Sequence, residues 1–584
     1  MPGEADQTSA DEASPIGTGS QTPTELEPTE RETSSALAPL RNRLFLALFI
    51  ATTVSNFGTW VQDVGRAWLM TELTPSATLV ALVQSAAMAA MALLVLPAGV
   101  MADLYDRRRL LLGAQIAMLL VTVVLGLVTI SGAMTPPLLL GLTFALAAAA
   151  AFSLPTFQAM IADIVGEDDL TQALVLNGIS FNLARAVGPA LGGVLVAAIG
   201  PGAVFLLNAV SFAGVVGVLF FAKAASVQAA LGELQIGRER ALAALRAGLR
   251  YARNAPSLRS LLVRTALFSI PASALWALLP LVARRDPQAG PEVYGLLLAA
   301  VGIGSLIAGV TLAAMRKRAD DAHLVGMAGV FLGAAIGLFA LAPALAVPAM
   351  ILAGMGWMIC MALLTAGVQV AVPGWIRGRA TSLFMMVFAV GMGAGSLLWG
   401  ALADTIDLTA ALVSAGVLQL VGTAVTFAWP MPKAKAPSST TRAAVWPEPN
   451  INADIDSTDG PILVTVQYAV RQGMEDRFHE IICRIASTRR ASGTVTWDLF
   501  EHGGEPRRFM EVNLVATWDD HLRQRSRQSA EAVELEQMLR ATLQEESEPH
   551  VVHWIGAGRK KAQPTASRPT DLPHTLIGPT TMDV

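Results

Sequence analysis

Between Leu44 and Pro430 the apolar residues come in a dozen near-continuous blocks, separated by short polar loops at regular intervals. A bilayer core takes about 20 apolar residues per helix, whereas a soluble amphipathic helix turns a polar face every few residues. The blocks therefore predict membrane helices over 44–73, 77–101, 110–131, 137–161, 171–199, 203–223, 261–283, 292–315, 323–342, 345–371, 378–403 and 408–429. A long polar segment, 224–257, divides them six and six, into halves 41–223 and 258–430. Within it, Leu242, Leu245 and Leu249 oppose Arg246, Arg250 and Arg253, which suits either an interfacial helix or a solvated linker helix.

The pattern changes after Pro430. A Pro, Ser, Thr and Ala stretch, 431–460, reads as a linker. Ile462, Val464, Val466, Tyr468 and Val470 then alternate as in a strand. A helix over 473–490, strands over 494–501 and 507–516, a helix over 519–543 and a strand over 549–555 complete βαββαβ, the ferredoxin-like order, as a domain at 461–556. Residues 1–40 and 557–584 read as disordered tails. The first of these lacks the apolar core of a signal peptide.

Composition sharpens this picture. The chain is 53% apolar and 15% charged, with a mean hydropathy of +0.52, which excludes an ordinary soluble multidomain protein. The net charge of −4 hides a segregation. Arg107, Arg108 and Arg109, then Arg238 to Arg253, then Arg316, Lys317 and Arg318, then Arg377 and Arg379, occupy alternate loops, while the opposite loops carry Arg284 and Arg285. This asymmetry expects both termini in the cytoplasm, with the acidic loop Asp163 to Asp169 against the trend. Cys360 and Cys483 fall in unlike segments and are not expected to pair.

Polar residues inside membrane helices are functional candidates because burying them in lipid is costly. Thr52, Asn56, Thr59, Asp63 and Arg66 recur at spacings of three and four, so they share one helix face, and that face should line a polar cavity. Asp63 and Arg66 can pair. A substrate that recruited the arginine would free the carboxylate for a proton, so the pair is either a coupling site or a fixed structural ion pair. Arg185 lies mid-membrane near Asn182, either to hold an anionic or hydrogen-bonding substrate group or to bind carbonyls and Asn182. Arg264, near a helix end, is expected to snorkel. Gln62, Gln84, Gln158, Asn208 and Gln369 suit helix packing or cavity hydrogen bonds. Gly188-Pro-Ala-Leu-Gly192-Gly193 recurs loosely at Gly391 to Gly400, six helices later, as parallel repeats would have it. Small residues there also allow close packing.

The segment Gly99, Asp103, Asp106, Arg107, Arg108 and Arg109 resembles the loop signature between the second and third helices of the major facilitator superfamily. Leu104 replaces a usual base and Asp106 a usual glycine. The resemblance implies that Asp103 docks at the N-terminus of the eleventh helix, where the dipole favours an anion, and closes the inner gate. A second-half echo, Gly309 to Arg318, keeps the bases and lacks the acid. Ser55 to Trp60, the 97–109 loop, Arg185 to Gly193, and Arg377 to Ser382 are similar to the superfamily branch containing the enterobactin exporters. Thr517 to Arg527 is similar to an appendage on many of its members. The resemblance covers about 40–555. It implies a bacterial inner-membrane exporter of siderophore- or drug-like molecules working by alternating access and proton antiport, with no cofactor, metal or nucleic-acid partner. Import by the same fold stays open.

The last domain also resembles antibiotic-biosynthesis monooxygenases, which pair as dimers. It holds five of the seven histidines, His479, His502, His521, His550 and His553. A dimerising or regulatory role and a tethered oxygenase are the alternatives, since fold likeness does not establish chemistry.

Overall fold

The computed structural model describes residues 37–221, 251, 253, 255–285, 289–372, 376–428, 455–456, 459–526, 530–544 and 549–556, apart from a few side chains that include that of Asp103. The helix expected over 238–253, the linker and the two tails fall wholly or mainly outside these residues.

The first half contains α1 (Arg43–Leu73), α2 (Ala77–Leu104), α3 (Arg107–Ile130) and a long helical run, Pro136–Phe221. Gly166 and Gly200 interrupt that run with φ of +76° and +78°, a left-handed conformation that costs a residue without Cβ little. The breaks yield α4 (136–165), α5 (167–199) and α6 (201–221). The second half contains α7 (Pro256–Ala283), α8 (Pro291–Met315), α9 (Asp321–Leu341), α10 (Ala346–Ala371), α11 (Arg377–Thr405) and α12 (Leu408–Ala428). Among the described residues eleven continuous runs are long and apolar enough to cross a membrane, one of them the pair α5 and α6, so all twelve predicted segments are present. With an even number of crossings, α1 starts and α12 ends at one face, called here the terminal face.

One boundary changes the chemistry. Sequence reading starts the third helix at Leu110, but α3 starts at Arg107 because Asp106 caps it, its carboxylate accepting from Arg109 N at 2.7 Å. The basic run is thus the first turn of a helix. Asn42, Ser76 and Asp320 cap α1, α2 and α9 in the same way, satisfying backbone donors that a helix leaves free.

The halves meet along two seams, α2 with α11 and α5 with α8. Lipid offers no hydrophobic drive for helix pairing, so close packing through small residues has to supply it. A Cβ on Gly193 would lie 2.7 Å from Pro291 O, and one on Gly302 2.6 Å from Ala186 Cα. At these two positions backbone meets backbone. Ser85 Oγ donates to Gly393 O at 2.8 Å, and Gly400 packs on Ala77 and Ala81. These contacts run from mid-helix to the face opposite the termini. Toward the terminal face the seams part among the described residues: none of them approaches a Cβ at Gly99 or Gly178, and Val175 and Val310 are exposed.

The C-terminal region folds as β1 (Ile462–Ala469), α13 (Glu475–Ser492), β2 (Thr496–Glu501), β3 (Arg508–Val515), α14 (Trp518–Ser526), α15 (Ala530–Arg540) and β4 (His550–Ile555). The sheet is antiparallel in the order β2-β3-β1-β4, the ferredoxin-like arrangement. The helix expected over 519–543 is described as α14 and α15, and residues 527–529 between them lie outside the described residues. The core on the helix-bearing side is Val466, Tyr468, Phe478, Ile482, Ile485, Phe509, Leu535 and Leu539.

A charged network crosses that core. Glu511, fully buried, accepts from Tyr468 Oη at 2.6 Å, Trp497 Nε1 at 2.7 Å and Arg489 Nε at 3.3 Å, and Arg489 also donates to Glu536 at 3.0 Å. Burial opposes the Arg489 charge, but the two carboxylates outweigh it and raise its pKa. Burial and then the Glu511 charge push the Tyr468 phenol well above its ordinary value. Glu511→Ala removes one of the two carboxylates that hold buried Arg489 and the acceptor of the Tyr468 and Trp497 donors, so we expect it to destabilise the domain by about 3–5 kcal/mol. Proteolytic protection of residues 460–556 in the purified full-length chain should fall, and unchanged protection would contradict this account.

Candidate functional site

Helix α1 places Thr52, Asn56, Thr59, Asp63 and Arg66 on one half-buried stripe. Arg66 pairs with Asp63, the arginine side chain mostly buried and the aspartate 40% exposed. Arg66 Nε is buried and has no hydrogen-bond partner. The pair therefore keeps one buried donor without a hydrogen-bond partner beside a partly exposed carboxylate. Thr52 and Thr59 bond back to their own helix.

Arg185 lies on another helix and does not join this pair. Its Nη2 donates to Ser305 Oγ at 3.2 Å across the α5–α8 seam, where Ser305 also donates to Gly354 O. Asn182 is exposed and bonds to Gly178 O rather than to the guanidinium. Both line a cleft of about 420 Å³ with Gly302, Leu306 and Met358, at the point where the seam opens toward the terminal face. One cation, beside Asn182 and Ser305 in a cleft otherwise lined by apolar and small residues, favours a negative or hydrogen-bond-accepting group.

Of the loop signature, Arg107 Nη1 donates to both Asp163 carboxylate oxygens at 2.7 and 2.9 Å, and Arg108 donates to Leu219 O and Phe220 O at 2.9 and 3.0 Å. The bases thus tie α3 to the ends of α4 and α6 within one half. Asp163, the acid that ran against the charge trend, is the counterion of Arg107. Arg109 is exposed, and the Asp103 side chain lies outside the described residues. In the second half Arg316 pairs with Asp321 at 2.9 Å.

One residue reads differently from the sequence, and two take the helix-packing role of the two the sequence left open. Arg264 does not snorkel: it is 4% exposed and donates to Thr426 O of α12 at 3.0 Å. Gln62 and Asn208 bond to each other, with Ser211 Oγ on Asn208 Oδ1 at 2.7 Å, and hold α1 against α6. An aromatic cluster was missed: Trp357 contacts Trp276 at 5.1 Å, Phe268 at 5.6 Å and Phe388 at 5.9 Å between ring centres, and Trp276 Nε1 finds no acceptor. Its rings come from α7, α10 and α11, so no spacing along the chain could reveal it.

In the C-terminal domain His521 Nε2 and His553 Nε2 lie 3.1 Å apart beside Trp518. Among the described residues no three metal-ligating side chains cluster.

The model of the transmembrane secretion effector family matches residues 34–561. The chain belongs to that family. The staphyloferrin A transporter of Staphylococcus aureus (strain NCTC 8325 / PS 47) is 27% identical over 165 residues, which span 28% of this chain and 42% of that transporter. Among solved structures, a bacterial homologue of the human lysosomal transporter Spinster, inward-facing and unoccupied, aligns with a TM-score of 0.54 at 16% identity over 67% of this chain and 97% of its own. The nucleoside transporter NupG aligns with 0.54 at 15%, covering 66% and 98%. These likenesses establish the major facilitator fold, and the chain is a multi-pass membrane transporter of that type. The family match runs through the C-terminal domain.

The Gln62–Asn208 bond gives a stability test. Asn208→Leu leaves a buried amide unpaired and should cost about 1–3 kcal/mol, read as a lower melting temperature in detergent. Adding Gln62→Leu should recover most of the loss. A double variant no more stable than the single would contradict the pairing.

Proposed function

We propose that this transporter exports small siderophore- or drug-like molecules across the bacterial inner membrane by alternating access, coupled to protons, with both termini in the cytoplasm. The observation that carries the reading is the asymmetry of the seams. The halves touch from mid-membrane to the face opposite the termini and part toward the terminal face, as in a carrier caught open to one side. The arginine-rich loops make the terminal face the cytoplasmic one, so the cleft at Arg185 faces the compartment from which export draws. The name of the staphyloferrin A transporter supports the siderophore class.

In this reading Arg185 and Asn182 hold an acceptor group of the substrate, and Asn56, Asp63 and Arg66 line its path from the first half. The aromatic cluster offers flat apolar surface and the free Trp276 donor. Asp63 takes a proton when substrate draws Arg66 away. Asp103 and the basic run serve the cytoplasmic gate. Dimerisation through the C-terminal domain is supported by its outer sheet face, where Phe500 and Trp554 are half-exposed beside Leu463, Met510, Val512 and Leu514. A transport role for the chain gives the domain a tethering or regulatory task rather than an oxygenase's.

Mass spectrometry of spent medium and cell pellets should compare a strain lacking the chain with strains restored by the intact, Arg185→Gln and 1–435 forms. A compound that returns to the medium with the intact chain, and at least ten-fold less with Arg185→Gln at equal protein levels, supports export. A compound drawn out of the medium instead means import, and an oxidised product lost on truncation means an oxygenase. In proteoliposomes, Asp63→Asn should abolish transport driven by a pH gradient while leaving substrate-gradient exchange. Full gradient-driven activity would rule Asp63 out as the coupling group.

A further inference from the structure

The octapeptide Gly99-Val-Met-Ala-Asp103-Leu-Tyr-Asp106 at the end of α2 has a counterpart at the end of α11, Gly400-Ala-Leu-Ala-Asp404-Thr-Ile-Asp407. The second aspartate does the same work in both copies. Asp106 caps α3 through Arg109 N, and Asp407 caps α12 through Thr409 N at 2.8 Å and Ala410 N at 3.2 Å. The first aspartate of the α11 copy is engaged across the halves. Asp404 accepts from Ser76 Oγ at 2.7 Å, Ala77 N at 2.7 Å and Thr78 N at 2.9 Å, a carboxylate on the N-terminus of α2, where donors are free and the dipole is positive.

Helices α2 and α11 run antiparallel. The C-terminus of α11 therefore sits by the N-terminus of α2 at the face opposite the termini, and the C-terminus of α2 points to the N-terminus of α11 at the terminal face. One motif placed on both C-termini thus falls at opposite faces of the membrane. We propose that Asp404 is the latch of the outer gate: it holds the face opposite the termini shut in the state seen here, and it must release α2 for the transporter to open there. Asp103, the acid of the loop signature, is its partner at the other face, so the two latches are made in opposite states of one helix pair. The proposal rests on the alternating-access reading above.

The test is the distribution of conformations. In the full-length protein with Cys483→Ser, spin labels at Ser131 and Ala344 report the face opposite the termini, and labels at Tyr105 and Lys317 report the terminal face. Double electron–electron resonance on Asp404→Asn should show the Ser131–Ala344 long-distance population raised about ten-fold, with the Tyr105–Lys317 distance shortening in step. Asp103→Asn should move both populations the other way, and the double variant should return toward the starting ratio. A residue that merely stabilised the fold would not yield opposite shifts and their compensation. If Asp404→Asn does not fold, Ser76→Ala, which removes one of the three donors, should produce a smaller shift of about three-fold in the same direction. Two populations that neither variant moves would overturn the latch. A single fixed population in every form, the unsubstituted one included, would instead overturn alternating access itself.

Discussion

The membrane part of this protein depends on backbone meeting backbone along half the length of two helix pairs. Van der Waals packing must join helices in lipid, and it works best where side chains are smallest. Gly193 against Pro291 and Gly295, Gly302 against Ala186, and Gly400 against Ala77 and Ala81 supply that closeness. Because these contacts stop near mid-membrane, the same two pairs that join the halves also leave them apart at the terminal face. The cleft at Arg185 exists because of where the close packing ends.

Polar groups follow from that frame and divide into two kinds. Some are consumed in holding helices together: Gln62 with Asn208, Arg264 with Thr426, Arg107 with Asp163. Each removes a charge or amide from the lipid environment by pairing it inside one half. Others keep unused capacity. Arg66 Nε and Trp276 Nε1 have no partner, and Arg185 spends one bond on a serine across the seam. An unsatisfied donor in such a place is costly to the resting protein.

The C-terminal domain obeys different physics. Its sheet buries one face against helices by the hydrophobic effect, and its charges sit in the core, satisfied by Tyr468, Trp497 and one another. The three bonds that Glu511 accepts make that network a fixed structural feature, unlike the partly free groups in the membrane.

The sequence by itself determined the twelve crossings, the six-and-six division and the ferredoxin-like strand order, since hydrophobic block length and alternation are local consequences of the bilayer thickness and the strand repeat. It also picked out the α1 stripe, because 3.6-residue periodicity is written along one helix. What it misjudged or missed comes from partners far apart in the chain. Arg264 is buried against Thr426 of α12, Asp163 faces Arg107 across two helices, and the tryptophans 81 residues apart, Trp276 and Trp357, meet ring to ring. Most of all, tertiary structure decided that Asp404 is bonded to α2: the spacing from Gly400 is readable in the chain, but only the antiparallel packing of α2 and α11 brings a helix N-terminus to that carboxylate.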